Sequence, residues 1–122
     1  MTVILERIEG QTAEAAATWH RVCAVTELEL CWGEAALVEG HQVALFRTGP
    51  ETVYATTQQD PAMLSNVMAR GIIGSKGSRP TIASPLHKEV YDLETGECFT
   101  NPELRLATYS VRLVDGFIEI AL

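Results

Sequence analysis

Two β-prone runs, Thr108–Val114 and Phe117–Leu122, meet at Asp115-Gly116. An Asp-Gly pair between such runs is the strongest short-range hairpin signal, because both central residues of the favoured turn need positive φ. The C-terminus is thereby committed to an antiparallel sheet. In the second run Ile118, Ile120 and Leu122 share one face by the period of two, with Phe117 and Glu119 on the other, so the even-numbered face is expected to be core. The same pattern recurs upstream. Trp19–Val25 reads as a first strand, and Ala35–Glu39 and Gln42–Thr48 read as two strands joined by Gly40-His41, with Gly first as a type II′ turn prefers. Thr48-Gly49-Pro50-Glu51 then turns the chain into Thr52–Thr56. The expected fold class is all-β, an antiparallel barrel or sandwich. Between these parts, residues 58–93 are rich in Gly, Pro and Ser and admit one short helix over Ala62–Ala69. Residues 1–17 have helix-favouring composition without a sustained apolar stripe and read as an N-terminal arm.

A chain of 122 residues has room for one core. No run of about 18 apolar residues is present to cross a bilayer, and the start lacks the marks of an export signal, so a cytoplasmic location is expected. The three cysteines, Cys23, Cys31 and Cys98, lack C-x-x-C spacing and read as small buried hydrophobes, with Cys98 the one that could be a near-surface thiol. His20 and His41 read as surface residues at element ends.

A net charge of −7 argues against nucleic-acid binding, which needs clustered cations. The charge is uneven. From Pro61 to Lys88 there is no acid, and Arg70, Lys76, Arg79 and Lys88 give +4, leaving −11 elsewhere. Either this is a solvated loop region or it is a docking surface for an acidic partner, with those four cations as candidates. Gly71-Ile72-Ile73-Gly74-Ser75-Lys76-Gly77 has the wrong spacing for a phosphate loop and reads as a flexible surface loop. No nucleophile, base and orienting group can be assembled, and no carboxylates are visibly paired, so no catalytic residue is expected in this chain.

The remaining motif is Ser84-Pro85-Leu86-His87. A Rieske [2Fe–2S] cluster takes two Cys thiolates and two His imidazoles, supplied as C-x-H and, further on, C-x-x-H. The segment resembles the second half of that motif with Ser84 in the cysteine's place and His87 retained. Upstream, Val53-Tyr54-Ala55 leads to Asp60-Pro61-Ala62 where C-P-H would stand. Three of the four vestigial ligand positions, Asp60, Ala62 and Ser84, thus carry no cluster ligand. Hard oxygen donors do not replace soft thiolates on iron, so no metal or cofactor is expected here. The more natural role for Asp60, Ser84 and His87 is to close the vacated pocket by hydrogen bonds.

With Arg70-Gly71-Ile72-Ile73-Gly74, Leu93-Glu94-Thr95-Gly96-Glu97-Cys98 and Tyr109-Ser110-Val111-Arg112 in this order, the chain from about Trp19 onward is similar to the small subunit of assimilatory NAD(P)H-dependent nitrite reductase. That family is Rieske-like without cluster ligands. The resemblance implies a Rieske-like domain over residues 18–122, with a small subdomain inserted at about 57–93. It further implies a non-catalytic small subunit whose large-subunit partner, bearing FAD, sirohaem and a [4Fe–4S] cluster, reduces nitrite to ammonium in nitrate assimilation. Two other readings stay open: a Rieske-type [2Fe–2S] ferredoxin with unrecognised ligands, and a stand-alone Rieske-like scaffold or regulatory domain.

Overall fold

The computed structural model of the protein describes residues 18–86 and 89–122, which form three antiparallel sheets. The expected N-terminal arm, His87 and Lys88 lie outside the described residues. The first sheet, in the order β1 (Trp19–Ala24), β10 (Phe117–Ala121), β9 (Val111–Val114), joins the two ends of the described chain. The second has the order β2 (Trp32–Val38), β3 (His41–Gly49), β4 (Thr52–Thr57), β8 (Thr108–Tyr109), and the third runs β5 (Ile72–Lys76), β6 (Arg79–Ala83), β7 (Val90–Asp92).

The centre of β3 has no solvent face. Val43 and Leu45 pack with Val53, Ala55, Ile118 and Ile120 in one core, while Ala44 and Phe46 pack with Met68, Ile82, Tyr91, Leu93 and Leu106 in another. The second sheet is therefore a middle layer with a core on each side. A continuous apolar run is what a strand covered on both faces requires. Burying a side chain such as Phe46 or Leu45 stabilises by about 1.5–3 kcal/mol relative to exposure.

The even-numbered face of β10 is core, as its alternation requires: Ile118 and Ile120 are fully buried. Glu119, on the other face, is also buried, because Arg21 (3.2 Å) and Arg112 (2.8 Å) cover its carboxylate. Asp115 and Gly116 both have positive φ, as a type I′ turn needs.

Several expectations are corrected. The β2–β3 turn is Glu39-Gly40, both at positive φ, and so is type I′ rather than a type II′ turn at Gly40-His41. Residues 108–114 are two strands: Thr108–Tyr109 completes the second sheet and Val111–Val114 enters the first. The stretch 71–77 is not a flexible loop but strand β5 and the turn into β6. Ala62–Ala69 forms no α-helix, and only Met68–Arg70 makes a 3₁₀ turn. Leu64 at φ +62 and a Gln59–Asn66 bridge give the segment loop geometry instead. Among the cysteines Cys98 is buried and Cys23 half-buried, but Cys31 is exposed at φ +58.

Candidate functional site

The expected ligand loops come together between β4 and β6. Asp60, just beyond β4, and Ser84, just beyond β6, are both essentially inaccessible. Asp60 Oδ1 accepts the N–H groups of Ala62 (2.7 Å) and Met63 (2.9 Å), and Oδ2 accepts the Ser84 hydroxyl. Ser84 Oγ in turn accepts the Leu86 N–H at 3.2 Å. The two positions that would have held thiolates thus bond to each other and to their own loops.

Asp60 builds its loop in a recognisable way. Its carboxylate takes the amides two and three residues on, its carbonyl accepts the Leu64 N–H (2.7 Å), and its N–H donates to Ser65 O (2.7 Å). Asp92 repeats this geometry. It takes the amides of Glu94 (2.6 Å) and Thr95 (3.0 Å), its carbonyl accepts the Gly96 N–H (2.8 Å), and its N–H donates to Glu97 O (2.8 Å). The fifth residue of each turn has positive φ, Leu64 at +62 and Gly96 at +83. Burial would raise the Asp92 carboxyl, but those two amides and the Arg79 guanidinium at 2.6 Å outweigh it and hold the group below the usual carboxylate range. This second Asp turn was not anticipated, although Asp followed by Gly four residues later carries a readable signal.

A [2Fe–2S] cluster does not fit these residues. Ala62 has no donor atom, the Asp60 and Ser84 oxygens are hard donors already engaged in hydrogen bonds, and iron–sulfur sites select thiolate. Among the described residues no group of three or more His, Cys, Asp or Glu is placed to hold a metal ion. One polar atom in this region has no partner among the described residues: the hydroxyl of the fully buried Tyr91. Its ionisation is pushed far up by burial, then by Cys98, Asp60 and Glu89.

The candidate docking cations differ in their surroundings, and Lys88 lies outside the described residues. Arg79 is spent on Asp92 (2.6 Å) and Glu97 (2.8 Å) and lies 4.7 Å from the Phe99 ring centroid, which Lys76 also approaches at 5.5 Å. Arg70 is exposed and makes no ion pair among the described residues. Exposed apolar side chains, missed by reading charge alone, lie in the two loops at Met63, Leu64 and Leu86 and on the strands at Trp32, Leu37 and Ile72. His20 is only partly exposed and approaches Glu39 at 3.7 Å, whereas His41 is exposed.

The family model of the Rieske-like [2Fe–2S] domain matches residues 18–121. The nitrite reductase (NADH) small subunit of Escherichia coli is 30% identical over 103 residues, covering 84% of this chain and 95% of the relative. A 108-residue stretch, 88% of this chain, is also 30% identical to part of the nitrite reductase [NAD(P)H] large subunit of Klebsiella oxytoca, where it covers 11% of that chain. Among solved structures, a candidate NADH-dependent nitrite reductase small subunit from Mycobacterium tuberculosis superposes with a TM-score of 0.82 at 34% identity, covering 87% of this chain and 96% of that one.

Proposed function

On the premise that the chain belongs to the Rieske-like [2Fe–2S] domain family, and within it to the small subunits of NADH-dependent nitrite reductase, we propose that it is a cluster-free structural subunit of that enzyme. The observation that carries this reading is the Asp60–Ser84 pair: the loops that would bind iron hold each other instead. Such a chain carries no electrons. Its contribution is to bind a large subunit that holds FAD, sirohaem and a [4Fe–4S] cluster and reduces nitrite to ammonium in the cytoplasm. The Klebsiella large subunit carries a matching stretch within its own chain, which supports a ratio of one small-subunit domain per large subunit. Residues 18–122 act as one domain, with the segment 57–93 inserted between β4 and β8 of the second sheet.

Co-expression with the large subunit and purification through a tag on the large subunit tests this reading. The expected result is a 1:1 complex, together with a separately purified small chain free of iron and acid-labile sulfide. A small chain that holds two irons, or that leaves the large subunit on washing, would overturn it.

A further inference from the structure

All three sheets end in strands with no sheet neighbour on one side among the described residues, and two of these edges, β2 of the second sheet and β5 of the third, lie close to each other. Both edges border one groove of about 790 Å³. Gly33 lets β2 approach the third sheet's subdomain closely, since a Cβ there would lie 2.4 Å from the Ala69 carbonyl oxygen.

Register decides which β2 groups face outward. The two-residue turn makes Val38 and His41 a hydrogen-bonded pair, and bonding alternates from there, so Ala36 and Glu34 exchange bonds with Val43 and Leu45. Ala35 and Leu37 therefore direct N–H and C=O away from β3. Beside this edge stand Trp32, 56% exposed, and Ile72, 70% exposed, with Arg70, which has no ion pair among the described residues, on the β5 side and Glu34 on the β2 side. A small-molecule site needs polar side chains converging on one point. Here Gln58, which also lines the groove, is spent on the Ala69 N–H at 2.8 Å. What the groove offers is unpaired strand edge flanked by apolar surface, which is how an added strand is received.

We propose that this groove receives an extended segment of the nitrite reductase large subunit, which adds to β2 beside Ala35 and Leu37, lays an apolar side chain between Trp32 and Ile72, and sets a carboxylate against Arg70. The inference rests on the small-subunit reading above. The large subunit is the fitting occupant because in the Klebsiella relative a stretch matching this chain is part of the large-subunit chain itself, which keeps such a domain beside the rest of that subunit. Arg70 gives the groove one exposed cation, and a carboxylate set opposite it would fix orientation and register.

The test is amide hydrogen exchange and binding measured on the complex with the large subunit. The Ala35 and Leu37 amides should exchange quickly in the free chain and about 100-fold more slowly in the complex. Ile72→Glu and Ala35→Pro should each weaken binding by about tenfold or more, and Arg70→Glu should weaken it while reducing its salt dependence. Ile72→Glu and Arg70→Glu alter exposed side chains, so the free variants should melt as the wild type does. Wild-type affinity in Ile72→Glu and Arg70→Glu, with no slowing at Ala35 and Leu37, would overturn the groove while leaving the small-subunit reading intact. Protection already present in the free chain would also overturn it: if lost on deleting residues 1–17 the occupant is this chain's own N-terminus, and if it grows with concentration the occupant is a second copy. A wild-type chain that does not bind the large subunit at all would instead sink the functional reading.

Discussion

Asp60→Ala removes the side chain on which both loops of the candidate site depend. Among the described residues, two backbone amides and one hydroxyl lose their acceptor. An abandoned buried donor costs about 1–3 kcal/mol. Ala62 and Met63 are exposed, so their amides recover water and fall at the low end, whereas the Ser84 hydroxyl is sealed in and incurs most of the penalty. Relief of burying a carboxylate offsets part of the sum, and a net loss of about 3 kcal/mol follows. For a domain of this size that lowers Tm by roughly 10–20 °C. Asp60→Asn keeps an acceptor for the amides and lets the Ser84 hydroxyl turn to accept from the new amide group, so about 1 kcal/mol is expected. Ser84→Ala should also cost about 1 kcal/mol, and the Asp60→Ala/Ser84→Ala double variant should lose less than the sum of the singles, because the stranded hydroxyl is gone. Urea unfolding of the four variants and the wild type measures all of this. A loss under about 0.5 kcal/mol for Asp60→Ala, the range of an ordinary surface change, would refute the view that this carboxylate replaces the cluster as the loops' anchor.

Three further outcomes follow from the same structure. Asp92 and Glu119 both have carboxyls held low, Glu119 by Arg112 and Arg21 against the opposing effect of burial. Their lowered folded-state values mean that the unfolded chain binds protons more tightly, so their stabilisation is present above about pH 4 and disappears as pH falls through the folded values. Glu119→Gln should therefore show a smaller drop in urea midpoint between pH 6 and pH 3 than the wild type, and equal drops would contradict the assignment. Gly96→Ala should cost about 2–3 kcal/mol or more, since Gly96 has φ +83 and a Cβ would lie 1.9 Å from the Leu106 carbonyl oxygen, while Leu64→Gly at the equivalent position of the Asp60 turn should be neutral to stabilising by about 1 kcal/mol. Thermal melts that rank these two the other way would break the equivalence of the turns. Tyr91→Phe deletes a buried hydroxyl with no partner among the described residues and should raise stability by about 1 kcal/mol; a loss of that size in chemical denaturation would mean that the hydroxyl is bonded.

The degenerate motif was legible because it is a matter of atoms: Ala62 and Ser84 cannot supply a thiolate or imidazole whatever surrounds them. The closure of the pocket was legible only as a requirement. That Ser84 meets Asp60, 24 residues away, depends on β4 and β6 delivering two loops to one place. The surroundings of the candidate docking cations were illegible for a related reason. A run without acids looks basic along the chain, but Asp92 and Glu97 fold back onto Arg79 and leave Arg70 as the cation of the groove.

Local sequence by itself determined the strands at the two ends, the Asp115-Gly116 hairpin and the core face of β10, because alternation and turn chemistry act over a few residues. Helix propensity over Ala62–Ala69 lost even though Asp60 accepts the Ala62 and Met63 amides as a helix N-cap would, because Leu64 turns into the left-handed region at φ +62 and Asn66 bridges back to Gln59. Tertiary structure alone decided that residues 108–114 divide between two sheets, that β3 is buried on both faces, and that β2 and β5 end as neighbouring open edges. Each of these depends on pairing between segments far apart in the chain, where the free energy lies in the surface buried between them rather than in the preference of either segment.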